Sequence, residues 1–553
     1  MRKLYTTFLI TLLSLNVFAQ APNWTWAKRV GGIGNDSPNN IAMDVSGNVY
    51  VVGQFSGDTI SFDTTDLLNV STFDIFLVKY SPSGNVIWAK SAGGNARDLA
   101  YGIAIDANSS VYITGFFKSS TLTFDTFTLH NSSSYTDIFL AKYDSTGNVI
   151  WAKSFGGTND DEDFGVTTDA NSNVYLTGYF YSPSIIIGND TLVSTNGSVF
   201  VAKFDPSGNK IWVKQLIAND TKDIATDAAG NLYLAGTFGY GGATIGAISL
   251  TCISGLDADV FVAKFDSIGN VIWAKSASGS GFDYATRIVI DYNNDIIIAG
   301  IFQSPTLTFG TSILTNTNTS TVGVATADLF LIKCDSAGGL IWARSAGGSS
   351  FDGVSGLATD AIGNIYLTGY FNAPSITFSS ITLTNSDPNL FVTAYDSNGN
   401  INWARNEGGT DMENGIGICT DSHQNIYVCG CFNSPSIAFG LDTLFNPYSN
   451  YLGFNPDMFI AKLNSITGIT ESEIQDSFSI SPNPFTSQTT ITFADEQTHT
   501  VIKITDVVGK EIRTINFTGR RYTIEKADMS PGIYLVQTRG EKKNSEIKKI
   551  VIQ

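Results

Sequence analysis

Histidine, charge and basic residues are all scarce in this chain. There are only three histidines, His130, His423 and His499, so histidine-based catalysis and a histidine zinc site have almost no material. Charged residues make up 15% of the chain, and 32 Lys and Arg stand against 50 Asp and Glu, a net charge of −18. So few basic residues argue against a nucleic-acid-binding protein. With 43% hydrophobic residues, the chain is also neither disordered nor a coiled coil.

Long hydrophobic runs are missing as well, apart from one short run at the start. Residues 4–18 are mostly apolar, but they are fewer than the roughly 20 residues of a membrane-spanning helix. Arg2 and Lys3 precede this run and Ala19 follows it, an arrangement typical of a secretory signal peptide. We therefore predict a signal peptide at residues 1–20, export of the mature chain and no transmembrane segment. An uncleaved anchor is the alternative.

A sevenfold repeat fills most of the chain. Each repeat has a tryptophan in a segment like WAKS, an aspartate that ends a short strand, a glycine after a Tyr-rich strand, and a segment like FLAK. The tryptophans are Trp26, Trp88, Trp151, Trp212, Trp273, Trp342 and Trp403, and the aspartates are Asp44, Asp106, Asp169, Asp227, Asp291, Asp360 and Asp421. The aspartate and the glycine are nine residues apart in all seven repeats, and the end of FLAK is nine residues from the next tryptophan in all six cases. These constant spacings predict two rigid hairpins in every repeat.

The other two intervals in each repeat vary in length. The step from tryptophan to aspartate is 18 residues in six repeats and 15 in the fourth, and the step from glycine to the end of FLAK runs from 25 to 33. Each repeat is therefore predicted to be a four-stranded meander, with fixed turns at one end and variable loops, the usual place for binding, at the other. The fixed turns read Asp-x-x-Gly-Asn. We interpret them as hydrogen-bonded turns rather than calcium loops, because the ladder of acidic ligands is missing.

Seven four-stranded units predict an all-β fold, a seven-bladed β-propeller. The seventh unit ends at Phe459–Leu463 without its tryptophan strand, and the missing copy lies at the N-terminus, at Trp24–Lys28. An N-terminal strand that completes the last blade is expected in a closed ring. In the alternative, an open solenoid, the first and last units do not meet, so the displaced strand has no explanation. The units resemble the bacterial propeller repeat called SBBP in the pattern GG-x3-D followed by IAxD-x-x-GNVYLTG, clearest at Gly93–Gly115 and Gly156–Gly178. The resemblance covers residues 24–463 and implies the fold but no chemistry.

A second domain follows the repeats. We assign residues 21–468 to the propeller, 469–477 to a polar linker and 478–553 to a small β-sandwich, because the repeat pattern stops after Gly468. The tail contains the motifs Ser481–Phe485 (SPNPF), Asp506–Lys510 (DVVGK), Met529–Val536 (MSPGIYLV) and Lys548–Gln553 (KKIVIQ). In these motifs it resembles the type A C-terminal sorting domain of type IX secretion. The resemblance implies that the secretion machinery reads this domain and that the protein is secreted or attached to the outer cell surface.

Acids recur at one position of the repeats, ten residues after the tryptophan. They are Asp36, Asp98, Asp161, Asp283, Asp352 and Glu413. The fourth repeat has Lys222 there and offers Asp220 or Asp223 instead. These loops are expected to circle the central mouth, where either each acid caps its own loop or the acids together bind metal ions or a cationic ligand. Calcium is the metal considered, and Asp161 and Asp163 are its best single candidates.

Aromatic residues and cysteines offer further candidate positions. In or near the long loops stand Tyr179, Phe180, Tyr181, Tyr240, Phe371 and Tyr448, which either stack on sugars or are the exposed ends of aromatic strands. The five cysteines are Cys252, Cys334, Cys419, Cys429 and Cys431, an odd number that does not describe a disulfide framework. We interpret them as small core residues, with a Cys419–Cys429 disulfide as the alternative.

The sequence predicts an exported propeller that acts as a binding or adhesion scaffold through its loop face. Its predicted partners are the type IX secretion machinery, through residues 478–553, and a glycan or protein ligand; nucleic acid is not expected. The alternative is a carbohydrate-active enzyme, a lyase or hydrolase that uses carboxylates at the propeller mouth. No catalytic residue is assigned, because no Ser-His-Asp order, P-loop or dinucleotide fingerprint is found. No cofactor is expected, and calcium remains a candidate.

Overall fold

The structure is a computed structural model that describes residues 21–131, 133–239, 241–252, 258–317, 326–372, 374–385, 387–449, 455–465, 478–506, 510–527, 529–539 and 546–553. The predicted signal peptide (1–20), the linker (469–477) and Tyr240 lie outside these ranges. The chain divides into two compact units, Met1–Ile466 and Thr467–Gln553. Within the described ranges every regular element is a β-strand, so no helix there has the length and apolar character to cross a membrane.

Antiparallel four-stranded sheets make up the first unit, which is the seven-bladed propeller that the repeat predicts. Its strands are β2 (Asp36–Met43), β3 (Val49–Phe55), β6 (Asp74–Tyr80) and β7 (Val86–Ala92) in blade 1; β8 (Asp98–Ile105), β9 (Val111–Phe117), β12 (Asp137–Tyr143) and β13 (Val149–Phe155) in blade 2; β14 (Asp161–Thr168), β15 (Val174–Phe180), β18 (Ser198–Phe204) and β19 (Lys210–Leu216) in blade 3; and β20 (Asp220–Thr226), β21 (Leu232–Phe238), β24 (Asp259–Phe265) and β25 (Val271–Ala277) in blade 4. They continue with β26 (Asp283–Ile290), β27 (Ile296–Phe302), β30 (Asp328–Cys334) and β31 (Leu340–Gly348) in blade 5, and β32 (Asp352–Thr359), β33 (Ile365–Phe371), β36 (Asn389–Tyr395) and β37 (Ile401–Glu407) in blade 6. Blade 7 consists of β38 (Glu413–Thr420), β39 (Ile426–Phe432), β42 (Asp457–Leu463) and the N-terminal strand β1 (Trp24–Gly32).

The N-terminal strand closes the ring. β1 pairs antiparallel with β42, with Ala27 opposite Ala461 and Val30 opposite Met458. The first strands of the blades are innermost: β2, β8, β14, β20, β26, β32 and β38 contact one another in turn, and β38 contacts β2. The predicted closed ring is therefore confirmed, and the open solenoid is wrong.

Each unit contains an element that the repeat spacing does not reveal, a short hairpin between its second and third blade strands. The hairpins are β4 (Thr59–Phe62) with β5 (Thr65–Leu68), β10 (Thr121–Phe124) with β11 (Phe127–His130), β16 (Ser184–Ile187) with β17 (Asp190–Val193), β22 (Ala243–Ile245) with β23 (Ile248–Leu250), β28 (Thr306–Phe309) with β29 (Ser312–Thr315), β34 (Ser375–Phe378) with β35 (Ile381–Thr384), and β40 (Ser436–Phe439) with β41 (Asp442–Phe445). Each turn has two residues, and the first has a positive φ, as in Asp63 (50°) and Gly310 (58°), which suits the twist of the flanking strands. One of the two predicted variable loops is thus a structured hairpin. In the pairs β1–β4 and β31–β34 it joins the outer strand of the preceding blade.

The fixed turns are held by their aspartates. Asp44 Oδ1 accepts the backbone N–H groups of Ser46 and Asn48, both at 2.9 Å, and Oδ2 accepts the hydroxyl of Tyr50 at 3.0 Å. The two backbone bonds recur at Asp106, Asp169, Asp227, Asp291, Asp360 and Asp421. The interpretation of these segments as turns is confirmed, because each aspartate satisfies the backbone of its own turn.

Neighbouring blades are joined at the turn end by their tryptophans. Trp88 Nε1 donates a hydrogen bond to the carbonyl of Ser145 in the next blade (3.2 Å), and Lys79 Nζ donates to the same oxygen (3.0 Å). Gly147, at φ 86°, lies against the indole so closely that a Cβ there would be 3.0 Å from the ring. The same hydrogen bond recurs at Trp151, Trp212, Trp273 and Trp342. In these five repeats the tryptophan docks on the following blade.

The second unit is a curled sheet around one core. Its strands are β43 (Phe478–Ser481), β44 (Gln488–Asp506), β45 (Glu511–Glu525), β46 (Gly532–Arg539) and β47 (Glu546–Ile552), in the order β43-β44-β46-β47 with β45 paired to β44. Ile491, Ile502, Val536 and Ile550 are buried in its core. Phe485 donates its N–H to the carbonyl of Val551 (3.0 Å) and so brings the two ends of the unit together. The predicted small β-sandwich is confirmed in the form of a nearly closed sheet.

Candidate functional site

The acids that recur in the repeats are fully buried. Asp36, Asp98, Asp161, Asp283, Asp352 and Glu413 each begin an innermost strand, and the exposed fraction of each is 0%. Asp98 Oδ2 accepts the hydroxyl of Ser119 (2.7 Å), and Oδ1 accepts the backbone N–H groups of Lys118 and Ser119 (both 3.2 Å). Asp161, Asp283 and Glu413 accept the hydroxyls of Ser182, Ser304 and Ser434 in the same way. These are the hydrogen bonds of a cap that ties the innermost strand to the loop after the second strand.

These acids do not converge in the mouth of the propeller. A collective site needs carboxylates that face one another across the opening, whereas these six are buried at separate junctions between blades. A ligand in the mouth would therefore contact other side chains.

In the fourth unit the structure places Asn219 where the other units have their capping acid. The loop is three residues shorter, so counting ten residues from the tryptophan overshoots to Lys222. Asn219 Oδ1 accepts the backbone N–H of Gly239 (3.3 Å), which is the bond of a cap. The expectation that Asp220 or Asp223 takes this position in the fourth unit is wrong.

Asp161 and Asp163, the predicted calcium ligands, lie in one strand but in different surroundings. Asp161 is engaged by the hydroxyl of Ser182. Asp163 is 0% exposed and accepts the hydroxyl of Thr114, while its Oδ1 has no hydrogen-bond partner. Within the described ranges no three His, Cys, Asp or Glu side chains come together as a metal-binding group. A calcium site on these two residues would therefore have no third acidic ligand there.

Burial raises the pKa of the capping acids. The pKa is about 8 for Asp36 and Asp352, about 7 for Asp283 and Glu413, and about 6 for Asp98. Desolvation disfavours the charged carboxylate, and the hydrogen bonds from neighbouring backbone and side-chain groups only partly offset it. Ionising these groups therefore costs the folded protein stability.

Replacing Glu413 by Gln is expected to stabilise the propeller increasingly as the pH rises from 4.5 to about 7. The ordinary pKa of this carboxyl is 4.5, and burial raises it to about 7 in the folded protein. Between these values the unfolded chain ionises while the folded chain does not, so the parent loses stability that Glu413→Gln retains. Unfolding temperatures of both proteins across this range test the prediction. If the two unfolding temperatures differ by the same amount at every pH, the prediction is contradicted. A constant difference would reflect only the lost hydrogen bond from the N–H of Gly409, which does not depend on pH.

Every innermost strand has a β-bulge near the loop face, which the sequence interpretation missed. In β8 the register shifts between Ala100 and Gly102, and the other six innermost strands shift at the same place. The bulged residues are Asn39, Tyr101, Phe164, Lys222, Thr286, Ser355 and Ile416, all half-buried. Bulges re-aim side chains at the rims of closed sheets. A signal for them existed in the sequence, because each lies three positions after the capping residue.

A run of aromatic rings lies beside these bulges in blades 2 and 3. The ring centroids are 5.4 Å apart for Tyr101 and Phe164, 5.9 Å for Phe164 and Tyr179, and 5.2 Å for Tyr179 and Tyr181. Tyr181 is 52% exposed, and the other three are half-buried. We call these four residues the aromatic patch.

Charged groups of both signs border the aromatic patch. Tyr179 donates its hydroxyl to Glu162 (2.9 Å), and Lys222 Nζ lies 4.6 Å from the ring centroid of Phe164. Lys222 also forms an ion pair with Asp220. Burial raises the pKa of Glu162. The patch therefore combines stacking surfaces with groups that donate and accept hydrogen bonds.

The other aromatic candidates divide between core and surface. Phe180 and Phe371 are 0% exposed and belong to the cores between blades, so neither is available to a ligand. Tyr448 lines a separate groove of about 480 Å³ together with Arg29 and Pro447. Of the aromatic residues that the sequence singled out, only Tyr179 and Tyr181 lie in the aromatic patch.

Beyond the bulges the innermost strands surround a cavity of about 440 Å³. The remainder of the innermost strands lines it with Ile, Val, Ala and Thr side chains, and its charged lining residues are Asp223 and Arg287. Asp223 Oδ2 accepts the backbone N–H of Ile288 in the next blade (3.0 Å). The cavity wall is therefore mostly uncharged, and the denser polar and aromatic chemistry lies at the mouth.

The cysteines belong to the core. Burial raises the pKa of Cys334, Cys429 and Cys431 to about 12, which makes their thiols unreactive. Cys419 and Cys429 are unbridged thiols. The core interpretation is confirmed for these residues, and the Cys419–Cys429 disulfide is wrong.

Two family models match the chain. Residues 25–54 match the SBBP beta-propeller repeat, and residues 479–553 match the secretion system C-terminal sorting domain. The tail is a type IX sorting domain. The sorting domain directs a protein to secretion or to the outer cell surface, and its match agrees with the motifs that run along the tail.

The first motif of the sorting domain connects its two ends. Asn483, in the SPNPF segment, donates from Nδ2 to the carbonyl of Lys549 (2.7 Å) and accepts the N–H of Val551 at Oδ1 (2.8 Å). Both partners lie in the closing KKIVIQ segment. The two motifs are therefore parts of one structural feature, the contact that closes the sheet.

Two curated proteins match the chain in sequence over part of their length. The uncharacterized WD repeat-containing protein L264 of Acanthamoeba polyphaga mimivirus is 26% identical over 506 residues, which is 75% of this chain and 36% of that protein. The regulatory protein FlaEY of Caulobacter vibrioides is 26% identical over 269 residues, which is 48% of this chain and 24% of that protein. The chain thus spans well under half the length of these curated relatives.

Two solved structures resemble the chain weakly. The Dos1 propeller is 10% identical with a TM-score of 0.37, over 79% of this chain and 94% of that one. PorZ, a surface component of the type-IX secretion system of Porphyromonas gingivalis, is 10% identical with a TM-score of 0.18, over 95% of this chain and 100% of that one. Likenesses at these scores carry no conclusion about function.

Proposed function

We propose that this protein is an exported binding or adhesion scaffold that holds its ligand at the loop-face mouth of the propeller. The observation that carries the proposal is the aromatic patch, a run of four touching rings at the rim of a rigid closed ring. Binding sites are commonly built from partly exposed aromatic side chains with a few polar groups on such a scaffold. The buried acids serve the scaffold in this proposal and do not touch the ligand.

A carbohydrate is the ligand class that suits the patch best. Sugar rings present C–H faces that stack on aromatic rings, and their hydroxyls need donors and acceptors close by. Glu162 supplies an acceptor and Lys222 a donor beside Phe164 and Tyr179. The sorting domain supports this choice, because a secreted or surface-attached protein meets extracellular glycans.

Replacing Tyr181 by Ala is expected to weaken glycan binding about ten-fold, the effect of losing an exposed anchor residue. Tyr181 is the most exposed ring of the patch, and alanine keeps its backbone hydrogen bonds with Asp160 and Asn159. A glycan array with the full mature chain identifies a bound glycan, and titration of that glycan into the parent and Tyr181→Ala measures the loss.

Tyr292→Ala is the matched control for this experiment. Tyr292 is 57% exposed, close to the 52% of Tyr181, but it lies in a fixed turn at the opposite end of the propeller. Its replacement should leave the affinity unchanged. Equal affinities of the parent and Tyr181→Ala, or equal losses in both variants, would contradict a site at the aromatic patch.

A second candidate function is glycan cleavage at the same place. The observation that favours it is Glu162, a half-buried carboxyl with a raised pKa that is hydrogen-bonded by Tyr179, near the ion pair of Asp220 and Lys222. A carboxyl of raised pKa is the kind of group that serves as a general acid. Mass spectrometry of a bound glycan after incubation distinguishes the two functions. Shortened products that disappear in Glu162→Gln would establish the enzyme, and an intact glycan supports the scaffold.

A further inference from the structure

Two buried carboxylates meet at most junctions between blades. One begins the third strand of a blade and the other is the capping acid of the next blade. The pairs are Asp457 with Asp36, Asp74 with Asp98, Asp137 with Asp161, Asp259 with Asp283, and Asp328 with Asp352. The backbone places them side by side: Asp98, for example, donates its N–H to the carbonyl of Phe73, the residue before Asp74 (3.0 Å). The same bond links the other pairs.

These paired acids are buried without full compensation. Every one of the ten is at most 6% exposed. Asp36 Oδ1, Asp74 Oδ1, Asp137 Oδ1, Asp352 Oδ2 and Asp457 Oδ1 have no hydrogen-bond partner. Two buried carboxylates in contact are strongly unfavourable unless a positive charge or a shared proton lies between them. Either a bound cation or a shared proton is therefore needed at these junctions.

The junction of blades 7 and 1 contains its own cation. Arg29 donates from Nε to Asp457 Oδ2 at 2.5 Å, and its charge also favours ionised Asp36. In the sheet Arg29 stands opposite Phe459. The third strands of the other blades also have a phenylalanine at the position of Phe459. In four of these blades the residue opposite that phenylalanine, where blade 7 has Arg29, is a serine: Ser91, Ser154, Ser276 and Ser345.

The two remaining junctions lack the pair, and they differ at this position as well. The junction of blades 3 and 4 has Ser198 and Asn219 instead of two acids, and Gln215 fills the space by donating to Ser198 Oγ (3.0 Å). The junction of blades 6 and 7 has Asn389 with one acid, Glu413, and Asn406 stands at the position of Arg29. The residue at the position of Arg29 thus changes with the number of carboxylates at the junction. Serine occurs there only at junctions that have two acids and no arginine.

We propose that each of the four serine junctions binds one calcium ion between its two aspartates. The sites are Asp74 with Asp98, Asp137 with Asp161, Asp259 with Asp283, and Asp328 with Asp352. Carboxylates, a serine hydroxyl and backbone carbonyls are hard oxygen ligands, which suit Ca²⁺. Each ion takes the place that the guanidinium of Arg29 occupies at the fifth junction.

Such an ion joins the third strand of one blade to the innermost strand of the next. It acts near the loop face, whereas the tryptophan contacts join the same blades at the turn end. Calcium would therefore stabilise the ring that carries the aromatic patch without touching the ligand.

Calcium stoichiometry of the full mature chain tests the proposal. Chelator-treated protein is dialysed against calcium chloride, and bound calcium is measured by elemental analysis together with isothermal titration. We expect four ions per chain, three in Asp74→Asn and three in Ser91→Arg, which installs the guanidinium found at the fifth junction. Asp457→Asn is the matched control and should still bind four, because Arg29 already serves its pair.

The number of calcium ions bound by the parent and by each variant decides whether the proposal holds. Four ions in the parent, with the loss confined to the Asp74 and Ser91 variants, support the proposal, and calcium should then raise the unfolding temperature by mass action. A parent that binds fewer than four ions overturns it, even if Asp74→Asn fails to fold, and leaves shared protons as the means of neutralisation. An equal loss in Asp457→Asn and Asp74→Asn also overturns it.

Discussion

Deleting residues 21–30 is expected to lower the unfolding temperature of the propeller by roughly 10 °C or more. The deletion removes most of β1, the strand that completes blade 7. Trp24 and Val30 are 8% and 3% exposed, and their burial contributes roughly 3–6 kcal/mol, a large part of the ~5–15 kcal/mol of a typical domain. The deletion also leaves β42 as an open edge. Thermal unfolding of the mature chain with and without these residues measures the effect.

Two further measurements make this result specific to ring closure. Thr25 is exposed in β1, so Thr25→Ala should leave the unfolding temperature almost unchanged. A synthetic peptide of residues 21–32 should restore stability to the truncated chain by occupying the vacant edge of blade 7. A truncated chain that melts with the parent would show that β1 is not needed to close the ring.

Deleting residues 478–553 is expected to abolish delivery to the cell surface in a host with type IX secretion. These residues include the whole sorting domain, and the propeller forms a separate compact unit. The truncated chain should therefore accumulate in the periplasm as a folded, protease-resistant propeller. Cell fractionation and surface labelling with an antibody against the propeller measure the change.

A point variant tests whether surface delivery requires the folded sorting domain and not only the presence of its residues. Asn483→Ala removes both hydrogen bonds to the closing strand and should reduce surface delivery strongly. Glu511→Gln alters an exposed ion pair with Lys503 and should have no effect. Normal surface display of the chain without residues 478–553 would refute the role of the tail in sorting.

The local parts of this fold could be predicted from the sequence because their causes are local. The interval of nine residues in each hairpin is set by two short strands and a turn whose aspartate bonds its own backbone, as at Asp44. Ring closure was predictable for a related reason. A strand missing from the last repeat and present at the N-terminus has one place to pair, and Val30 does lie opposite Met458.

Features with variable spacing were predicted less well. The interval between the second and third strands changes length, so it was interpreted as a loop, although it contains a two-stranded hairpin in every unit. The shorter loop of the fourth unit shifted the count, so Lys222 was placed at the position that Asn219 occupies. Counting along the chain fails wherever a loop changes length, because register is set by pairing to the neighbouring strand.

The sequence by itself thus determined the number of blades, their strand order, the closing strand and the sorting domain. Only the tertiary structure decided what the recurring acids do. Whether Asp98 faces a ligand or a neighbour depends on how blades 1 and 2 meet, and there Asp98 is buried beside Asp74. The bulge that turns Tyr101 and Phe164 toward each other is decided in the same way. Contacts within a repeat leave a period in the sequence, whereas contacts between blades depend on packing that no single repeat contains.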